Sequence, residues 1–86
     1  MIPQNITNNH IETAIKEIKN EGIPSRRNSK KFDLLFEGKR YPPKYVISVA
    51  NKFANETELE ARKFSGGQET NSFLKRRGFK IITHGK

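Results

Sequence analysis

The sequence predicts a small α+β domain: an antiparallel sheet of two to three strands packed against three helices, in the order α-β-β-α-α-β. Three observations predict it. Apolar residues recur at helical spacing in three separate stretches, they alternate at strand spacing through Phe32, Leu34 and Phe36, and glycine or proline punctuates each change of period. At 86 residues the chain suits one domain with one thin core.

Residues 1–7 read as a flexible N-terminal tail, with the domain over residues 8–83. Asn8 and Asn9 offer helix N-caps, and Glu12 follows Asn9 at the spacing of a capping box. Ile11, Ala14, Ile15 and Ile18 then mark one helical face, which predicts a helix over residues 9–20. Gly22 suits its end, and Pro24 prevents its resumption. Residues 23–31 form a basic, Ser/Asn-containing loop. The Phe32–Phe36 strand turns at Glu37-Gly38 and returns as Lys39-Arg40-Tyr41, a hairpin with a basic second arm.

Pro42-Pro43 ends that arm and fits the first turn of a helix, where the missing N–H is not needed. Val46, Ile47, Ala50 and either Phe53 or Ala54 predict this second helix over residues 43–54. Residues 55–63 are polar and acidic, with Leu59 and Ala61 as anchors. Phe64-Ser65-Gly66-Gly67 precedes a third helix, whose apolar face is Thr70, Phe73 and Leu74. Lys75-Arg76-Arg77 places cations in its last turn, where the helix dipole favours them, and Gly78 signals its end. Phe79–Thr83 predicts a final strand that joins the hairpin, because Phe79 and Ile81 alternate and need a partner. The expected core is Ile15, Ile18, Leu34, Phe36, Val46, Ile47, Ala50, Phe64, Phe73, Leu74, Phe79 and Ile81. Residues 84–86 read as a tail continuing into a larger protein.

Cysteine is absent, which excludes disulfides and thiolate metal sites and suits a reducing, cytoplasmic compartment. No apolar run approaches the roughly 20 residues of a membrane span, and the first residues lack the pattern of a signal peptide. The net charge is +8 and it is segregated: residues 22–52 carry +6 and residues 72–86 carry +5, while residues 1–21 carry −1 and residues 53–71 carry −2. Two basic blocks favour a polyanion-binding face over uniform solubilisation.

Catalytic signals are weak. His10 and His84 lie near the termini with no Cys, Asp or His at metal-ligand spacing. Ser65 lacks the preceding glycine of a nucleophile elbow, and no Gly-Lys-Ser/Thr follows Gly66-Gly67 as a P-loop requires. No catalytic residue, metal or cofactor is expected. The binding signals are stronger. In the run Arg26-Arg27-Asn28-Ser29-Lys30-Lys31 the cations can neutralise phosphates, and Ser29 can hydrogen-bond phosphates or base edges; a solvated loop is the plain alternative. In Lys39-Arg40-Tyr41-Pro42-Pro43-Lys44 the cations flank an aromatic ring, and Tyr41 either stacks on a nucleotide or closes the hairpin onto the second helix as a core residue. Ser65, Gly66 and Gly67 either cap and bend the chain into the third helix or present its N-terminus to a phosphate, with Glu69 opposing an anion there. Asn71, Lys75 and Arg76 complete the candidate nucleic-acid-binding set.

The run Phe32-Asp-Leu-Leu-Phe-Glu-Gly-Lys-Arg-Tyr-Pro-Pro-Lys-Tyr-Val-Ile-Ser-Val-Ala-Asn, followed by Phe64-Ser-Gly-Gly-Gln-Glu-Thr-Asn-Ser-Phe-Leu and by Gly78-Phe79, resembles the N-terminal head domain of ScoMcrA-like, McrA-type HNH restriction endonucleases. The resemblance covers residues 23–83. It transfers Lys39, Tyr41, Pro42, Pro43 and Lys44, and Ser65, Gly66, Gly67, Thr70 and Asn71, as pattern positions. It implies a DNA-binding or target-reading role beside a nuclease domain, and an adjacent nuclease or ATPase domain is the expected partner. The HNH cluster itself is absent from this chain, so nuclease activity does not carry over. The expectation is therefore a non-catalytic, DNA-binding accessory module of a modification-dependent restriction system, contacting duplex DNA mainly through phosphates. A protein-interaction or oligomerisation module and a modified-base reader are the alternatives.

Overall fold

The computed structural model describes residues 1–29 and 31–83. The expectations for Lys30, His84 and the tail over residues 84–86 lie outside the described residues. Three helices, α1 (Asn8–Glu21), α2 (Pro43–Asn55) and α3 (Gln68–Arg76), accompany a sheet of β1 (Phe32–Phe36), β2 (Lys39–Tyr41) and β3 (Lys80–Thr83). The order is α-β-β-α-α-β, as the sequence predicts. Short 3-10 turns at Ser25–Arg27 and Ala61–Lys63 break the two long connections.

β1 is the central strand of the order β2-β1-β3, antiparallel to both neighbours. Glu37 and Gly38 both adopt positive φ, 50° and 79°, the backbone of a two-residue hairpin turn that matches strand twist. The register sets Leu34 opposite Tyr41 on one side and opposite Ile81 on the other. Residues opposite one another share a face, so this row faces the helices: Leu34 and Tyr41 are buried, and Ile81 packs half-buried against the core. The next row, Arg40-Leu35-Lys80, faces the other way, and both cations in it are exposed.

α2 is the central helix. Tyr45 to Asn51 are all buried, because α2 meets α1 and the sheet, and the 55–63 connection folds back on it. That connection is held by the Leu59 N–H donating to the Ser48 carbonyl at 3.1 Å, by Ser48 Oγ donating to the Leu59 carbonyl at 2.7 Å and by Asn51 Nδ2 donating to the Thr57 carbonyl at 2.8 Å. Phe53 points outward, 40% exposed, and Ala54 is the residue that packs. Ten of the twelve expected core residues are buried, and Phe36 and Ile81 are half-buried at the sheet margin.

Two expectations need correction. α1 is capped by Thr7, one residue before Asn8. Thr7 Oγ1 accepts from the His10 N–H at 3.3 Å while the Thr7 N–H donates to His10 Nδ1 at 3.0 Å, so His10 fills the reciprocal position assigned to Glu12. Residues 1–7 do not form a tail. Ile2 and Ile6 enter the core at 2% and 1% exposure, and Arg77 Nε donates to the Ile6 carbonyl at 3.3 Å. Burial of the two isoleucines, together with the Ile2 N–H bond to Glu69 and the Arg77 bond to the Ile6 carbonyl, offsets the ordering cost of the segment.

Candidate functional site

A cleft of about 380 Å³ lies where three sequence-distant segments meet. The first is the 3-10 turn and its continuation, which contributes Arg26, Arg27, Asn28, Ser29, Lys31 and Phe32. The second is the start of α2, with Pro42, Pro43 and Lys44. The third is the entry to α3, with Gly66, Gly67, Thr70 and Asn71, and Ala61 closes the remaining side. Among the described residues, four cations line the cleft and no carboxylate does.

Each wall has a local cause. Pro24 cannot continue a helix, so the chain makes one tight turn, with the Arg27 N–H donating to the Pro24 carbonyl at 2.9 Å. Arg27 is fixed from below: Nη2 donates to Ser48 Oγ at 2.8 Å, and the guanidinium lies 4.9 Å from the centre of the Tyr45 ring. Arg26 and Lys31 remain exposed on the rim. Ser29 Oγ donates to Asp33 Oδ1 at 2.6 Å, which draws the loop onto β1 and gives the buried Asp33 carboxylate a partner, with Arg40 Nη1 3.6 Å from Oδ2. Pro42 and Pro43 hold the start of α2 against the core, so Lys44 in the first turn projects to the cleft. Its Nζ stands 5.0 Å from the centre of the Phe64 ring.

Gly67 precedes α3 with φ +58° and ψ −124°, a conformation L side chains rarely adopt. Of the two readings of Ser65, capping of α3 does not hold. The helix starts at Gly67 without a side-chain cap, and Glu69 reaches back instead: its Oε1 accepts from the Ser65 N–H at 2.8 Å and from Ser65 Oγ at 3.1 Å. Its Oε2 accepts from the Ile2 N–H at 3.2 Å. The Ser65 N–H bond foremost, helped by the Ser65 hydroxyl, the chain amino group and the Ile2 N–H, holds the Glu69 carboxyl below the usual glutamate range against a smaller desolvation effect. Glu69 is thus engaged by Ser65 and Ile2 and is not among the residues lining the cleft, while its charge stays in the first turn of α3. Thr70 Oγ1 donates to the Ser65 carbonyl at 2.7 Å and completes the bend.

Of the sequence-predicted site residues described, Arg26, Arg27, Ser29, Lys31, Lys44, Gly66, Gly67 and Asn71 converge on this cleft. The others do not. Lys39 and Tyr41 line a second, smaller concavity beside Lys16 and Lys19 of α1, and Tyr41, at 6% exposure, is a core ring rather than a stacking platform. Arg40 lies on the outer sheet face beside Asp33. Ser65 spends its hydroxyl on Glu69, and Lys75 and Arg76 are exposed at the far end of α3. Phe32 and Ala61 are cleft residues that sequence reasoning did not single out for binding. Phe32 carries only a strand signal, and nothing in the spacing of Ala61 points to a site.

Among the described residues no group of three or more His, Cys, Asp or Glu could hold a metal ion, and no helix is long and apolar enough to cross a membrane. The family model of the ScoMcrA-like, N-terminal head domain matches residues 4–83. No curated protein and no solved structure matches the chain.

Proposed function

From the premise that the chain belongs to the ScoMcrA-like N-terminal head-domain family, modules of restriction-system proteins that are separate from the HNH catalytic domain, we propose that it is a non-catalytic DNA-binding module whose contact surface is the cationic cleft. The observation that carries this reading is the convergence of Arg26, Arg27, Lys31 and Lys44 around the uncapped N-terminus of α3, with no carboxylate among the described lining residues. Backbone N–H groups at a helix start and clustered cations both favour phosphate oxygens. In this reading the module supplies grip on the DNA.

Four cleft cations give a log–log salt slope of about −3 to −4 on duplex DNA, with affinity on the order of micromolar near physiological salt, because a lone small module offers little area for base reading. Fluorescence anisotropy of a labelled duplex across a salt series measures both. Absence of binding at low salt overturns the reading and favours the protein-interaction alternative, in which the charge serves solubility.

A further inference from the structure

The cleft is larger than phosphate binding requires, and its floor has a different chemistry from its rim. Asn71 is 7% exposed and lines it, yet among the described residues its carboxamide makes no hydrogen bond. Its neighbour Thr70, fully buried, is satisfied by the Ser65 carbonyl. The carboxamide opens into the cleft, where it presents both a donor and an acceptor and is matched by a ligand that offers both. A phosphate offers acceptors alone; the edge of a nucleobase offers both. The surrounding walls are apolar: Phe32, Pro42, Pro43 and Ala61. A volume of about 380 Å³ lies within the range of small-molecule sites, which are mostly apolar with a few placed polar groups. Lys44 and the α3 N-terminus stand at the same cleft, in place for the phosphate that such a base carries.

We propose that the cleft receives a single unpaired nucleotide of a DNA strand, its base between the apolar walls with its edge against the Asn71 carboxamide, and its phosphate at Lys44 and the start of α3. This rests on the DNA-binding reading and adds a preference that phosphate contacts alone do not produce. A nucleotide outside the stack escapes the unpairing cost that a fully paired duplex imposes, so a cleft of this kind favours DNA in which a base is already free.

The test compares, at one salt concentration, a fully paired duplex with the same duplex carrying one bulged nucleotide. The expected result is about tenfold or more tighter binding of the bulged duplex, equivalent to about 1.4 kcal/mol. Ala61→Leu, at a half-exposed position on the cleft wall, should remove the preference while leaving paired-duplex binding in place; Asn71→Ala should do the same if a thermal melt shows it folded. In wild type the Asn71 side-chain amide resonances should move on adding the bulged duplex and stay in place with inorganic phosphate. Equal affinity for the two duplexes overturns the inference and leaves the DNA-binding reading standing; binding of neither duplex overturns both. A preference that survives Ala61→Leu, a response to free deoxynucleoside monophosphate without a preference for the bulge, or Asn71 shifts with inorganic phosphate alone, also overturns it.

Discussion

The guanidinium of Arg27 lies 4.9 Å from the centre of the Tyr45 ring and is held there by a hydrogen bond to Ser48 Oγ. Tyr45 and Ser48 are both on α2, and Ser48 in turn bonds the Leu59 carbonyl. Arg27 therefore ties the basic loop to the central helix and through it to the 55–63 connection. Adjacent arginines in the sequence have different work: one secures the cleft wall, the other faces solvent on the rim.

The first prediction separates them. Arg27→Ala loses a hydrogen bond from a charged donor and a cation–π contact, and should destabilise the fold by about 1–2 kcal/mol. Arg26→Ala should leave the melt unchanged and flatten the salt slope on duplex DNA by about one. Thermal melts and salt titrations of the two single variants check this. Equal stability of both variants would remove the structural role given to Arg27.

The N-terminal segment supplies the second. Ile6 is 1% exposed and Ile2 is 2% exposed, so Ile6→Ala should cost about 2–5 kcal/mol, as truncation of other packed isoleucines does. Much of the stability of a small domain would be lost. Chemical denaturation checks it; a variant as stable as wild type would return residues 1–7 to the status of a tail.

The third concerns pH. Glu69 has its folded pKa lowered, foremost by the Ser65 N–H bond, so its contribution is present above the unfolded glutamate pKa of about 4.3 and is lost as pH falls through the lower folded value. Glu69→Gln should therefore melt below wild type at neutral pH, and the gap should close as the pH drops past that window. A gap that persists unchanged in acid would mean the carboxylate charge is not what holds the Ser65 bend.

How much of this was legible in the sequence follows from the range of each signal. The Glu37-Gly38 turn, the Pro42-Pro43 helix start and the alternation of Phe32, Leu34 and Phe36 are local, and the strands and helices they predict are present. Ile2 and Ile6 are too few and too irregularly flanked to show a period, so their burial depends on contacts with residues some 60–70 positions away, such as Ile2 with Glu69 and Ile6 with Arg77. Tyr41 carried two readings that only the register with Leu34 could separate. For the cleft, the basic loop, Lys44 and Gly66-Gly67 were each visible as signals. Their convergence was not, because it is made by the packing of α2 between the loop and the entry to α3. The charge falls in two blocks along the chain, and block composition does not say whether the two share a surface.

That separation carries the last prediction. α3 rises about 1.5 Å per residue, so Lys75 and Arg76 sit on the order of 10 Å along the helix axis from its N-terminus at the cleft. If both basic blocks engaged one duplex, four to six phosphates would be covered and the slope would reach about −4 to −5. If the cleft is the contact surface, Lys31→Ala with Lys44→Ala should flatten the slope by about two, whereas Lys75→Ala with Arg76→Ala should change it little. Each pair removes the same net charge, so a nonspecific field effect would weaken binding equally in both. Salt titrations of the two double variants against one duplex distinguish the cases. An equal loss in both would mean the whole basic surface attracts DNA without a defined site. A larger loss in the Lys75/Arg76 variant would move the contact surface to the far end of α3, away from the uncapped helix start.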